Sequence, residues 1–199
     1  MEQAKIWQAI TEKLIANKEL LNDLDQAIGD GDHGTNLIRG FNEVIKDPVK
    51  LNGTWQASFN FVAMTLMSKV GGSSGPLFGI FFLNMSKAIK TASTQQEWLD
   101  AYLAGIKAVK TLGKSDVGEG TMLDALIPAV KILESNLNLN NKDLYKQMAL
   151  AAQEGAEATI TMLKTKGRAS YLKERSVNHM DPGAKSVSLI FEAVSEALQ

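Results

Sequence analysis

The residues best equipped for chemistry lie in Ile28-Gly29-Asp30-Gly31-Asp32-His33-Gly34-Thr35-Asn36, with Asp23 and Asp25 just upstream. Carboxylates this crowded repel one another and raise each other's pKa unless positive charge is gathered among them. Gly29-x-Gly31-x-x-Gly34 matches the letters of a dinucleotide fingerprint, but that fingerprint follows a strand and lays a pyrophosphate on bare amides. Here Leu21, Leu24 and Ile28 recur at helical spacing, so a helix enters the turn, and Asp30 and Asp32 would confront the phosphates. Two readings remain. A solvated turn uses the same residue types, and a hard-cation site gathers carboxylate oxygens on a turn that glycine makes sterically possible. For the second, Asp25, Asp30 and Asp32 are the candidate ligands. Three carboxylates suit magnesium, which takes oxygen ligands, keeps waters and shares its shell with a substrate phosphate. Asp23 leaves the helix from a different part of its surface and is not counted among them. His33, a lone histidine in an oxygen-rich turn, is read as a hydrogen-bonding group rather than a metal ligand.

Three other stretches carry suitable groups. Gly71-Gly72-Ser73-Ser74-Gly75-Pro76 offers backbone N–H groups, the hydroxyls of Ser73 and Ser74 and a helix start, a combination suited to phosphate. Ser74 is the expected N-cap, and Pro76 is tolerated in a first turn. Gly113-Lys114-Ser115 looks like the end of a P-loop, yet Ala108 stands where the first glycine belongs and a helix leads in, so that reading fails. Met122 is the adaptable apolar type that faces an adenine, although methionine at a helix start equally serves a core. The last region sets Lys164, Lys166, Arg168, Lys173, Arg175 and Lys185 beside Asp181-Pro182-Gly183. By default this is a solvated basic loop. Facing the acidic turn, Arg168 would instead hold phosphate oxygens and offset charge in phosphoryl transfer.

The elements that position these groups are helical from end to end. Ile6, Ile10 and Leu14 begin a first region that breaks near Asn17 and resumes at Leu21. A second helix runs from about Thr35 to Ile45 and stops at Asp47-Pro48. Others are expected at Trp55–Val70, from Leu77 through Ile89, at Gln95–Val109, from Thr121 through Leu133 with a kink at Pro128, at Lys142–Lys164, and from Val187 to the C-terminus. Thr121 and Asp124 resemble a capping pair. The expected fold is all-α, a single domain of about eight antiparallel up-and-down helices over residues 1–199. In such a bundle alternate loops emerge at one end, and the four polar, glycine-bearing links are alternate ones: Ile28–Asn36, Val70–Pro76, Leu112–Thr121 and Thr165–Ala184. The links between them look like plain polar turns.

Composition agrees with one soluble globular unit. The chain has 199 residues, 45% hydrophobic and 22% charged, with formal net charge -1, so nucleic acid and membrane surfaces are not expected partners. Zero cysteines remove disulfides and thiolate metal sites and fit the cytoplasm. The polar opening Met1–Lys5 does not read as a signal peptide.

Taken together, Gly29-Asp30-Gly31-Asp32-His33-Gly34, Gly72-Ser73-Ser74-Gly75-Pro76, Gly167-Arg168-Ala169-Ser170-Tyr171-Leu172 and Asp181-Pro182-Gly183-Ala184 resemble the DhaL family, the nucleotide-binding L subunits of phosphotransferase-dependent dihydroxyacetone kinases. The resemblance covers essentially the whole chain and implies an eight-helix antiparallel barrel with nucleotide at one end. It implies that Asp25, Asp30 and Asp32 bind two magnesium ions. It further implies ADP contacts at His33, Gly34, Thr35 and Asn36, at Ser73 and Ser74, at Gly113 and Met122, and at Arg168, Asp181, Pro182 and Gly183. ADP would stay bound as a coenzyme, taking a phosphoryl group from a phosphohistidine on an M subunit and passing it to dihydroxyacetone on a K subunit. His33 and His179, the only histidines, do not sit where a covalent carrier is expected. The resemblance also implies a possible second partner, a transcription regulator. A nucleotide domain for a kinase of another small substrate is the remaining alternative.

Overall fold

The computed structural model describes residues 3–199, and within them there is no strand. Ten α-helices follow in order: α1 (Gln3–Ala16), α2 (Lys18–Ile28), α3 (His33–Ile45), α4 (Pro48–Leu51), α5 (Trp55–Lys69), α6 (Ser74–Ala88), α7 (Gln95–Gly113), α8 (Leu123–Ser135), α9 (Asn141–Ala158) and α10 (Pro182–Ala197). Two 3-10 segments, Thr159–Thr161 and Arg168–Ser176, lie between α9 and α10. None of the helices is long and apolar enough to cross a membrane. Merging α1 with α2 across the break at Asn17, and setting aside the single turn α4, recovers the eight expected helices.

Three local expectations need correction. Asp47-Pro48 does end α3, but it also starts α4: Asp47 Oδ1 accepts from Lys50 N and Pro48 fills a first-turn position that needs no donor. The helix after the glycine-serine loop has Ser73, not Ser74, at its N-cap, and Ser73 makes no capping bond. The seventh expected helix stops at Ala158 rather than Lys164. The Thr159 hydroxyl donates to Ala156 O at 2.6 Å and the chain tightens into a 3-10 turn, leaving Lys164 in a loop.

Neighbouring helices close a ring in the order α1, α3, α5, α6, α7, α8, α9, α10 and back to α1. Apolar faces point inward because a ring of helices can hide its hydrophobic stripes only in the middle. Trp7 is 2% exposed, lies edge-on to Phe59 and Phe82 and donates its indole N–H to Ser58 Oγ at 2.9 Å, so its one polar atom is satisfied. Phe59 also meets Trp55 and Trp98. The interior is not solid. A cavity of about 330 Å³ remains, bordered by Trp55, Phe59, Trp98, Tyr102, Tyr145 and Phe191. The Tyr102 and Tyr145 hydroxyls face each other at 3.4 Å, and burial raises both above the usual phenol range.

Trp7→Ala should therefore remove a full aromatic side chain and leave Ser58 unpaired, costing about 3–5 kcal/mol in denaturant unfolding. Tyr171→Ala, at a side chain 83% exposed, should change stability by less than about 0.5 kcal/mol.

Candidate nucleotide and metal site

The acidic turn is organised by Asp25, which projects from the last turns of α2. Its Oδ2 accepts from the backbone N–H of Asp32 at 2.9 Å and of His33 at 3.1 Å, binding the start of α3 to the end of α2. Glycine is needed where the chain comes this close: a Cβ at Gly29 would collide with Asp25 Oδ1, and Gly31 has φ +77°, the left-handed region. One carboxylate oxygen each from Asp25, Asp30 and Asp32 then lies within 4.8 Å of the others. An oxygen-only set of this spacing fits a small hard cation. Asn22 adds a second clasp, accepting from Thr35 N at 3.0 Å and donating to Thr35 Oγ at 3.0 Å.

The other three loops come to the same end. Arg168, at the head of the second 3-10 segment, forms an ion pair with Asp30. His33 is 8% exposed and bridges loops with both ring nitrogens, Nδ1 to Ser74 Oγ at 3.0 Å and Nε2 to Ser186 Oγ at 2.8 Å. Desolvation lowers its pKa to about 4, against the opposing pull of Asp25 and Asp32. Asn36 Oδ1 accepts from Arg39 at 2.8 Å and sits against Gly71. Gly113 is the last residue of α7 and lies beside Leu77 in the first turn of α6.

Between the third and fourth of these loops sits Lys164, 2% exposed, whose ammonium donates to three carbonyls: Thr159 O at 2.6 Å, Met162 O at 3.0 Å and His179 O at 2.5 Å. Its aliphatic stem packs on Gly120. Buried Asp124 caps the same corner, accepting from Gly118 N at 2.5 Å and Thr121 N at 2.8 Å. Thr121 Oγ accepts from Leu123 N at 3.3 Å rather than from Asp124 N, and α8 begins at Leu123 with Met122 at its N-cap, so only the Asp124 half of the expected capping pair forms. Glu119 ties the loop outward, accepting from Thr165 Oγ at 3.0 Å and pairing with Lys166 at 3.1 Å. Asp181 caps α10, accepting from Ala184 N at 2.7 Å, and desolvation pushes its pKa up to about 7. Gly183 abuts Met122, and Met122 itself is buried and borders the interior cavity.

With this arrangement in view, the comparison with known proteins is decisive: residues 27–196 match the model of the DAK2 domain. The chain belongs to the DAK2 domain family. A DAK2 relative from Listeria innocua, named PEP-dependent dihydroxyacetone kinase 1, ADP-binding subunit DhaL, is 44% identical over 189 residues, 92% of this chain and 89% of its own. The corresponding Escherichia coli subunit is 40% identical over 187 residues, 90% of this chain and 88% of its own. The crystal structure of the dihydroxyacetone kinase from C. freundii with AMP-PNP and Mg2+ superposes with TM-score 0.80 at 28% identity. There the DAK2 fold described here covers 98% of this chain and 33% of the longer one.

Within this DAK2 domain the structure gathers Asp25, Asp30, Asp32, His33, Ser74, Arg168 and the α10 start at one end of the ring. Thr35 and Ser73 lie exposed at its edge, Gly34 packs against Lys18 O of α2, and Pro182 is buried. Asn22, Lys164 and Ser186 are the organising residues that spacing alone did not single out as such.

A neutral buried histidine binds no proton in the fold where the unfolded chain does, so its contribution to stability is full above pH 6.5 and is lost as pH falls toward about 4. His33→Gln should flatten the stability profile in that window by up to about 1.4 kcal/mol per pH unit, read from unfolding at several pH values. The raised Asp181 acts with the opposite sign, declining in contribution as pH rises through about 7, so the two must be separated by mutation.

Proposed function

We propose that this chain is the ADP-binding subunit of a dihydroxyacetone kinase working in the cytoplasm, with magnesium-bound ADP retained as a coenzyme between a phosphohistidine M subunit and a dihydroxyacetone-holding K subunit. What carries the reading is the meeting of the Asp25, Asp30 and Asp32 carboxylates, within 4.8 Å of one another, with Arg168 arriving from the opposite loop. The names of the DhaL relatives support the nucleotide and the phosphotransferase activity. The proposed metal ligands are Asp25, Asp30 and Asp32, sharing two ions. Around them, His33 to Asn36, Ser73, Ser74, Gly113, Met122 and Asp181 to Gly183 would form the nucleotide cradle.

When bound, magnesium would supply the positive charge that lets phosphate oxygens approach three carboxylates. The protein's own part is positioning and electrostatics. Asp25 holds its place through hydrogen bonds from two backbone N–H groups, so its carboxylate stays beside those of Asp30 and Asp32 without rearrangement. Arg168 offers a planar set of donors matched to phosphate oxygens, and leaving Asp30 for a transferring phosphoryl group costs little because both partners are partly exposed. The phosphoryl group would leave a histidine nitrogen of one partner and end on a hydroxyl oxygen of the other's substrate. No side chain of this chain is required as a covalent stop.

The chain purified without added nucleotide should release ADP on denaturation in near-equimolar amount, and Asp30→Ala should lose both the ADP and transfer from phosphorylated M subunit. Full ADP occupancy in Asp30→Ala would sink the metal assignment. Arg168→Ala should retain ADP while slowing transfer on the order of 10²–10³-fold, with Arg168→Lys between the two.

A further inference from the structure

Ser186 is fully buried on α10, and its Oγ lies 2.9 Å from Pro182 O and 2.8 Å from His33 Nε2. A hydroxyl has one proton and a carbonyl can only accept, so that proton is spent on Pro182. The contact with Nε2 then requires the ring to donate. Burial favours the neutral imidazole, which carries one proton; with it on Nε2, Nδ1 is a bare lone pair. Ser74 Oγ, 3.0 Å from Nδ1, must therefore donate inward. Direction runs from Ser74 through His33 and Ser186 to a backbone carbonyl that cannot reverse it.

We infer that His33 is a positioning residue that turns the Ser74 hydroxyl proton away from the nucleotide site, so that Ser74 presents an oxygen lone pair there. This rests on the ADP reading of the site and changes the chemistry expected of the loop. An ionised phosphate oxygen is an acceptor and gains nothing from a second acceptor. The group that suits Ser74 Oγ is a donor, and the waters of a magnesium ion held by the neighbouring carboxylates are such donors. Ser74 then serves the metal shell rather than the phosphate.

The test is nitrogen-15 correlation spectroscopy of the histidine rings in the intact chain at neutral pH, first as purified and then after chelation and dialysis have removed magnesium and nucleotide. With only two histidines, a His179→Gln sample assigns the spectrum. His33 should show a protonated Nε2 and a bare Nδ1; a ring proton on Nδ1, or on both nitrogens, overturns the inference. Ser186→Ala should release the lock and give mixed tautomers. An unchanged spectrum in that variant would show that Ser186 does not set the direction and would equally overturn it. In ADP titrations, Ser74→Ala should raise several-fold the magnesium concentration needed for half-maximal binding. Lower ADP affinity with an unchanged magnesium requirement would show Ser74 donating to phosphate, against the inference. The His33 tautomer tests the hydrogen-bond direction alone and Asp30→Ala tests the nucleotide site alone, so failure of one is distinguishable from failure of the other.

Discussion

Everything at the working end of this molecule depends on holding like charges together. Asp25, Asp30 and Asp32 bring oxygens within 4.8 Å, a separation at which carboxylates repel unless their field is met by donors or cations. The chain meets it unequally. Asp25 is fixed by two backbone N–H groups at the start of the next helix, whereas Asp30 is met by a largely exposed guanidinium. The fixed member sets the geometry, and the exposed pair leaves room for ligand charge.

The closed ring makes this arrangement possible by returning four separate loops to one end. Their mutual placement is secured below the surface. Lys164 joins the end of α9 to the approach of α10 through three carbonyls, and Asp124 holds the turn before α8 through two amides. Buried charges are tolerated here because each is surrounded by groups of the opposite polarity. The segment carrying Arg168 thus hangs between two anchored points.

Sequence revealed what is local. The acidic turn was visible because glycine and aspartate occur together at close spacing, and the helices because apolar residues recur at helical intervals. The alternate-loop argument needed only that successive helices run antiparallel. What stayed hidden depends on distant partners. His33 and Ser186 are 153 residues apart, and nothing near Ser186 marks it as an acceptor for a ring. Lys164 looked like one cation in a basic loop because no glycine or proline follows Ala158 before Gly167 to signal the end of α9. Asp47-Pro48 carried both a stop and a start, and only the stop was read.

The cavity beside Trp55 and Tyr102 has a mechanical consequence. About 330 Å³ beside these rings is roomy enough for water-sized molecules, and the part of it that stays dry in the fold is eliminated on unfolding. Hydrostatic pressure therefore acts on the ring of helices at its aromatic middle, away from the charged loops. Compressibility and ligand chemistry are thus assigned to different parts of one small fold.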